Sequence, residues 1–130
     1  MRGDTTGRTG DSKVVIENSV IRVTGPAHYR PALRVGGGAS APAPSVVLRR
    51  TTLEGSIGLY GKYSTSPPGS GSATVEASTV VGSSSSVSLD EGYTAWIANS
   101  QLSGGPVSGA ATCIGVYDEN FASAGYATCP

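Results

Sequence analysis

Charge is scarce in this chain of 130 residues: Asp, Glu, Lys and Arg together make up 14%, against roughly 25% in an average soluble domain. So little charge beside abundant Gly, Ser, Thr and Pro would suit disorder, but disordered chains lack regularly spaced Val, Ile and Leu. Strong helix formers are also few. Lys, Glu and Leu give way to Val, Thr and Gly, which favours short strands joined by turns. No apolar run is long enough to cross a bilayer as a helix, so membrane insertion is not expected. Nothing at the N-terminus reads as a signal peptide, and a segment of a longer exported protein would look the same. One histidine is present, His28, in a loop bracketed by prolines and without a Ser, Cys or metal-ligand partner. The only adjacent acids are Asp90-Glu91 and Asp118-Glu119, neither beside a base. No calcium-loop spacing surrounds Asp118, Glu119 and Asn120. The expectation is therefore a non-catalytic chain with no cofactor and no metal.

Basic residues are missing altogether beyond Lys62. Residues 1–62 hold nine bases against four acids, a net +5, and residues 63–130 hold five acids and no base, a net −5. The arginines alternate with acids and form no patch interleaved with aromatics, so nucleic-acid binding is not expected. In a solenoid, sequence order maps onto the long axis, and the two ends would then differ in sign.

What the chain does have is one phrase in four versions: I-E-N-S-V-I-R-V at 16–23, L-R-R-T-T-L-E-G at 48–55, V-E-A-S-T-V-V-G at 75–82 and I-A-N-S-Q-L-S-G at 97–104. Each begins on an apolar residue (Ile16, Leu48, Val75, Ile97). A hydroxyl follows three places on (Ser19, Thr51, Ser78, Ser100), and a second apolar residue two places later (Ile21, Leu53, Val80, Leu102). Between these lie apolar-x-apolar pairs, Leu33/Val35, Ile57/Leu59, Val87/Leu89 and Ile114/Val116. Successive copies are 32, 27 and 22 residues apart in the first unit and 24, 30 and 27 in the second. Repeats of that length mean a solenoid, a propeller or an array. Propeller blades need about forty residues and four strands each, and ankyrin or TPR units need helices. A parallel β-helix fits, with coils about 4.8 Å apart and unequal loops such as 39–45 and 63–72 absorbing the variable spacing. Outward positions then read Glu17, Arg49, Glu76, Ala98 and Arg22, Glu54, Val81, Ser103 from coil to coil. These sequences put opposite signs on neighbouring rungs, as in-register parallel strands require. Strand alternation turns Val14, Ile16 and Ile21 inward and Val15 and Glu17 outward.

Three segments fall outside the repeat. Residues 1–13 read as a mobile arm or linker. Their Arg2-Gly3-Asp4 spells an adhesion tripeptide too short to carry weight, and Gly10-Asp11-Ser12 lacks the helix and the distant Asp-x-x-His of a serine esterase. Residues 14–116 form the solenoid and 117–130 a cap. Cys113 and Cys129 bracket that cap as an even pair and read as a disulfide. The alternative is two thiols in a reducing compartment. Phe121 and Tyr126, folded back by the bridge, would cover the last rung.

The stretch A-N-S-Q-L-S-G-G-P-V-S-G (98–109), with T-C-I-G-V-Y-D-E-N-F (112–121) and T-C-P (128–130), resembles the C-terminal end of bacterial right-handed parallel β-helix proteins of the pectin-lyase-like kind. Some of these are surface or tail-fibre-like proteins. The resemblance implies an all-β right-handed parallel β-helix of about four coils, ending in a disulfide-pinned cap and continuing upstream in a longer chain. It brings no catalytic residues.

Alternation leaves Trp96, Tyr93, Tyr60 and Tyr117 outside. It also places Val15, Val47, Thr74 and Trp96 in an outward column that is mostly apolar. Such a column suits contact between copies, as a homotrimer or end to end, or stacking against a glycan. The expected role is structural, at the extracellular or virion surface. A carbohydrate-binding module is the alternative, and a polysaccharide lyase or hydrolase is disfavoured by the absence of a carboxylate cluster.

Overall fold

The computed structural model describes residues 12–25, 29–36, 43–62, 69–123 and 128–130. The adhesion tripeptide, nearly all of the N-terminal arm with most of the esterase-like triplet, His28, Tyr126 and the loop residues 39–42 and 63–68 lie outside these. The chain is all-β, with no helix among the described residues. Its strands are β1 (Ser12–Glu17), β2 (Val20–Arg22), β3 (Pro31–Val35), β4 (Pro44–Arg49), β5 (Thr52–Gly61), β6 (Gly71–Glu76), β7 (Thr79–Leu89), β8 (Tyr93–Ala98), β9 (Gln101–Gly104), β10 (Val107–Ser108) and β11 (Ala110–Ile114). They form two sheets. One has the order β1-β4-β6-β8-β11; in the other β10, β7, β5 and β2 are adjacent, with β3 also on β5 and β9 also on β7. Every pairing is parallel. The chain passes back and forth between the sheets, so each new strand lands beside its counterpart of the preceding turn. This is the connectivity of a β-helix-like fold. We call the β1 edge the top and the β11 edge the bottom.

The repeated phrase fixes the five-stranded sheet. Ile16, Leu48, Val75 and Ile97 stack in register, and the column runs one rung further to Cys113. One place after the strand-ending outward residue the chain must swing toward the other sheet. It does so at Asn18, Arg50, Ala77 and Asn99, with φ of 51°, 48°, 47° and 48°, and at Gly115 with φ of 63°. These are left-handed conformations that asparagine and glycine take readily and other residues take at a cost of roughly 1 kcal/mol or more. The first four corners are held from below. The N–H groups of Asn18, Arg50, Ala77 and Asn99 donate to the carbonyls of Arg49, Glu76, Ala98 and Ile114 at 3.0–3.2 Å.

The hydroxyls that follow the Arg50, Ala77 and Asn99 corners bond buried or part-buried backbone. Ser78 Oγ donates to its own Glu76 carbonyl (2.7 Å) and accepts the Thr51 N–H from the rung above (3.1 Å). Ser100 repeats the pattern, donating to Ala98 O (2.7 Å) and accepting from Ser78 N–H (3.1 Å). Thr51, Ser78 and Ser100 are buried, so a hydroxyl is needed where an apolar side chain would strand an amide.

The second sheet carries Ile21, Leu53, Val80 and Leu102 in register, as expected. Its other column differs from expectation. Leu33 pairs with Leu59 rather than Ile57, and Val35 with Gly61. Leu59 then pairs with Val87, and Val87 with Val107. The pairing of β5 with β7 is also irregular: from Gly55 to Ile57 β5 advances two residues while β7 advances three, from Gly82 to Ser85, an extra residue in β7 invisible to a count of apolar pairs. Ile114 belongs to the first sheet, opposite Ala98, and is exposed. Val116 packs in the core beyond the last strand. Between the sheets Leu48, Leu53, Leu59, Val75, Val80 and Val87 are fully buried, each contributing about 1.5–3 kcal/mol.

Candidate functional site

The outer face of the five-stranded sheet has three columns. The first reads Lys13, Ser45, Ser72, Thr94, Ala110; the second Val15, Val47, Thr74, Trp96, Thr112; the third Glu17, Arg49, Glu76, Ala98, Ile114. The outward column expected from the sequence is therefore present, with Thr112 as a fifth member. Val15 (49%) and Trp96 (58%) are exposed, while Val47 is buried although it stands outside the core cluster. Val15 above it and Thr74 below it flank Val47 in the column.

Charge divides this face. In the upper rungs Arg49 bridges Glu17 (Nη1–Oε1 3.2 Å) and Glu76 (Nε–Oε2 3.2 Å), and Arg50 reaches Glu17 at 3.7 Å. Hydrogen bonds to Glu17 and then Glu76 raise the Arg49 pKa above its ordinary value, so the guanidinium stays charged. The triplet is a ladder of half-exposed ion pairs, of the surface kind that solvent screens and that add little to stability. A second such rung pair, Arg22–Glu54 at 2.6 Å, lies on the other sheet. In the two lower rungs the face carries no charge at all: Thr94, Trp96, Ala98, Ala110, Thr112 and Ile114. Trp96 and Ile114 stand diagonally across this pair of strands, within reach of one partner surface.

The tyrosines depart from expectation. Tyr93 is 2% exposed, in the core cluster. It is four residues before Ile97 on the same strand and so faces the same way, and its ring fills space left by Gly61 and Gly71 one rung above. Tyr60 does point out of the core, since Leu59 points in, yet it is only 3% exposed. Tyr29, 31 residues earlier, meets it edge-on with ring centroids 5.4 Å apart and the hydroxyls in contact. Lys62 Nζ lies 5.7 Å and 5.9 Å from the two ring centres. Burial, then the Tyr29 hydrogen bond, raises the Tyr60 pKa, and the bond to Tyr60 raises that of Lys62.

Tyr117 is half-buried and stacks on Phe121 (5.4 Å, 16°), itself 78% exposed. That pair belongs to the closing segment, tied back by a disulfide between Cys113 and Cys129, whose Cα atoms are 4.9 Å apart. Cys129 packs against the core. Sequence reasoning missed Ile114 and Phe121 as exposed apolar groups. The signal for Ile114 was available: Cys113 ends the inward column, so its neighbour must face out.

Among the described residues no group of three or more His, Cys, Asp or Glu could hold a metal ion. No protein-family model, curated protein or solved structure matches the chain.

Proposed function

We propose that this chain is a structural element, the C-terminal end of a right-handed parallel β-helix of about four coils in an extracellular fibre or surface protein of the pectin-lyase-like kind. In this reading it performs no catalysis, continues upstream in a longer chain, and associates side by side with further copies, as a trimer, through the outer face of its five-stranded sheet. The observation that carries the reading is the charge-free lower half of that face, with Trp96 and Ile114 exposed on it. Aromatic residues concentrate at the centres of protein interfaces, and charges are depleted there. The disulfide fits an oxidising compartment. No helix of the described residues is long and apolar enough to cross a membrane.

A glycan-binding module is the second reading, favoured by the hydroxyls of Thr94 and Thr112 flanking the same Trp96 ring. The variant Trp96→Ser separates the two. If the face joins copies, light scattering should show the assembly falling to monomers. If it binds sugar, the oligomeric state should be unchanged and retention on polysaccharide columns lost. Wild-type protein that is monomeric and ignores polysaccharide would overturn both.

A further inference from the structure

The outer face of the second sheet carries cations that the ion-pair ladders leave out. Arg34 stands beside Tyr60 in register, Tyr60 beside Ser88, and Ser88 beside Ser108. Their chain neighbours Val35, Leu59 and Leu89 belong to the core, so Arg34, Tyr60 and Ser88 face away from it. Lys62 lies two residues beyond Tyr60, its N–H donating to Val35 O (3.1 Å), and extends the same face. Arg22, Arg49 and Arg50 each meet a glutamate, but among the described residues neither Arg34 nor Lys62 is in an ion pair. The Nε of Arg34 is buried and has no hydrogen-bond partner. The stretches 26–28, 37–42 and 63–68, which adjoin this corner in sequence, contain no acid.

Counting donors and acceptors leaves this corner with protons to give. An ammonium group only donates, so in the bond between Lys62 and Tyr60 the phenol oxygen accepts. Tyr60 is 3% exposed, and its own proton needs an acceptor. The Tyr29 oxygen in contact with it supplies one. The Tyr29 proton is then left over, on a side chain that is 60% exposed. The Arg34 guanidinium likewise has donors and no acceptor. Its Nε passes close to Gly36, 3.6 Å from where a Cβ would stand, and that point is 3.0 Å from Lys62 O. The guanidinium therefore lies toward the end of β5 that carries Lys62. Asp90 follows Leu89, the partner of Gly61, and stands one rung below Lys62. It is the smallest of the influences that raise the Lys62 pKa. Arg34, Lys62 and Asp90 together leave one positive charge uncompensated.

We propose that Arg34, Lys62 and Tyr29 form a binding site for a carboxylate group on the outer face of the second sheet. One net positive charge matches a singly charged group rather than a doubly charged phosphate. Two coplanar oxygens fit the edge of a guanidinium, where Nε and a terminal nitrogen donate in parallel. A guanidinium nitrogen held from water without an acceptor is costly, and a carboxylate relieves that cost. Arg34 is partly exposed, so a small turn of its side chain presents Nε to the ligand. Tyr29 and Lys62 then donate from the neighbouring strand and the loop above it. The site is independent of the association proposed above: it lies on the other sheet and uses neither Trp96 nor Ile114.

Acetate is the probe. In nitrogen-15-labelled protein the Arg34 Nε–H gives its own resonance, identified by its loss in Arg34→Gln. Sodium acetate replacing sodium chloride at constant ionic strength should shift that resonance saturably, with half-saturation in roughly the millimolar range. Tyr29→Phe removes one donor and keeps the ring; Lys62→Met removes the second charge. Both leave the Arg34 signal as the readout, and the remaining resonances report that each variant is folded. Each should weaken acetate binding by roughly tenfold or more, and Lys62→Arg should restore it. A merely structural role for these side chains would change the melting temperature and leave acetate affinity untouched. The proposal is overturned if the Arg34 resonance responds to acetate no more than to chloride. Variants that bind acetate as the parent does would also overturn it, as would saturation by phosphate or sulfate at lower concentration than by acetate.

Discussion

The corner residues show how one backbone angle organises the repeat. Five successive turns of the chain pass through the left-handed region at the same place, but only Asn18, Asn99 and Gly115 are residue types suited to it. Ala77 takes φ 47° with no side-chain hydrogen bond to offset it. Ala77→Asn or Ala77→Gly should therefore stabilise the protein by about 0.5–1 kcal/mol, read from urea denaturation. Tyr60 gives a second prediction. Burial raises its pKa above the ordinary 10.0, so the folded protein keeps a proton that the unfolded chain has already released. Lys62, raised above 10.5, likewise contributes fully below that value and loses its contribution as pH climbs through the raised one. Stability should be full below about pH 10 and fall above it, and a near-ultraviolet tyrosinate titration should show Tyr60 ionising above the ordinary tyrosine value. Whether a tyrosine was legible from the sequence depended on parity and on long-range cover. Parity alone assigns Tyr93 to the core with Ile97; nothing local reveals that Tyr29 shields Tyr60.

At the scale of elements, the hydroxyl ladder explains why Ser and Thr recur at a buried position. Ser78→Ala would leave the Thr51 N–H without an acceptor in the core, at a cost of about 1–3 kcal/mol. The top-rung hydroxyl, Ser19, donates to the Glu17 carbonyl (2.8 Å) in an exposed setting, so Ser19→Ala should cost less. Thermal melts of the two variants make the comparison. The same ladder is why the first sheet could be read from the sequence residue by residue: apolar side chain, corner and hydroxyl recur at fixed offsets with no insertion among them. The second sheet could not. Its strands β5 and β7 are 10 and 11 residues long, with one extra residue in β7 between Gly82 and Ser85 that sets Ile57 opposite Ser85 and Leu59 opposite Val87.

Across the whole molecule, the disulfide is the one covalent link between the last strand and the chain end, and it was legible as an even pair of cysteines. It closes a segment of sequence separation 16, for which loop-closure arguments give about 3 kcal/mol. Reductant should lower the melting temperature by roughly 10 °C, and Cys113→Ser should match the reduced protein. Charge segregation was also visible in the sequence, because a solenoid converts chain order into axial position. The turn at Asp118 was not, since it depends on that carboxylate accepting the N–H groups of Asn120 and Ala122. The bridge has a mechanical consequence as well. Hydrogen bonds between rungs point along the axis, so tension applied at the two chain ends meets them one rung at a time, like a zipper. Tension on Pro130 reaches Cys129 and passes through the bridge to Cys113 in the last strand, so most of the closing segment is bypassed and cannot be drawn out first. Among the described strands, the stapled rung should therefore yield after those nearer β1.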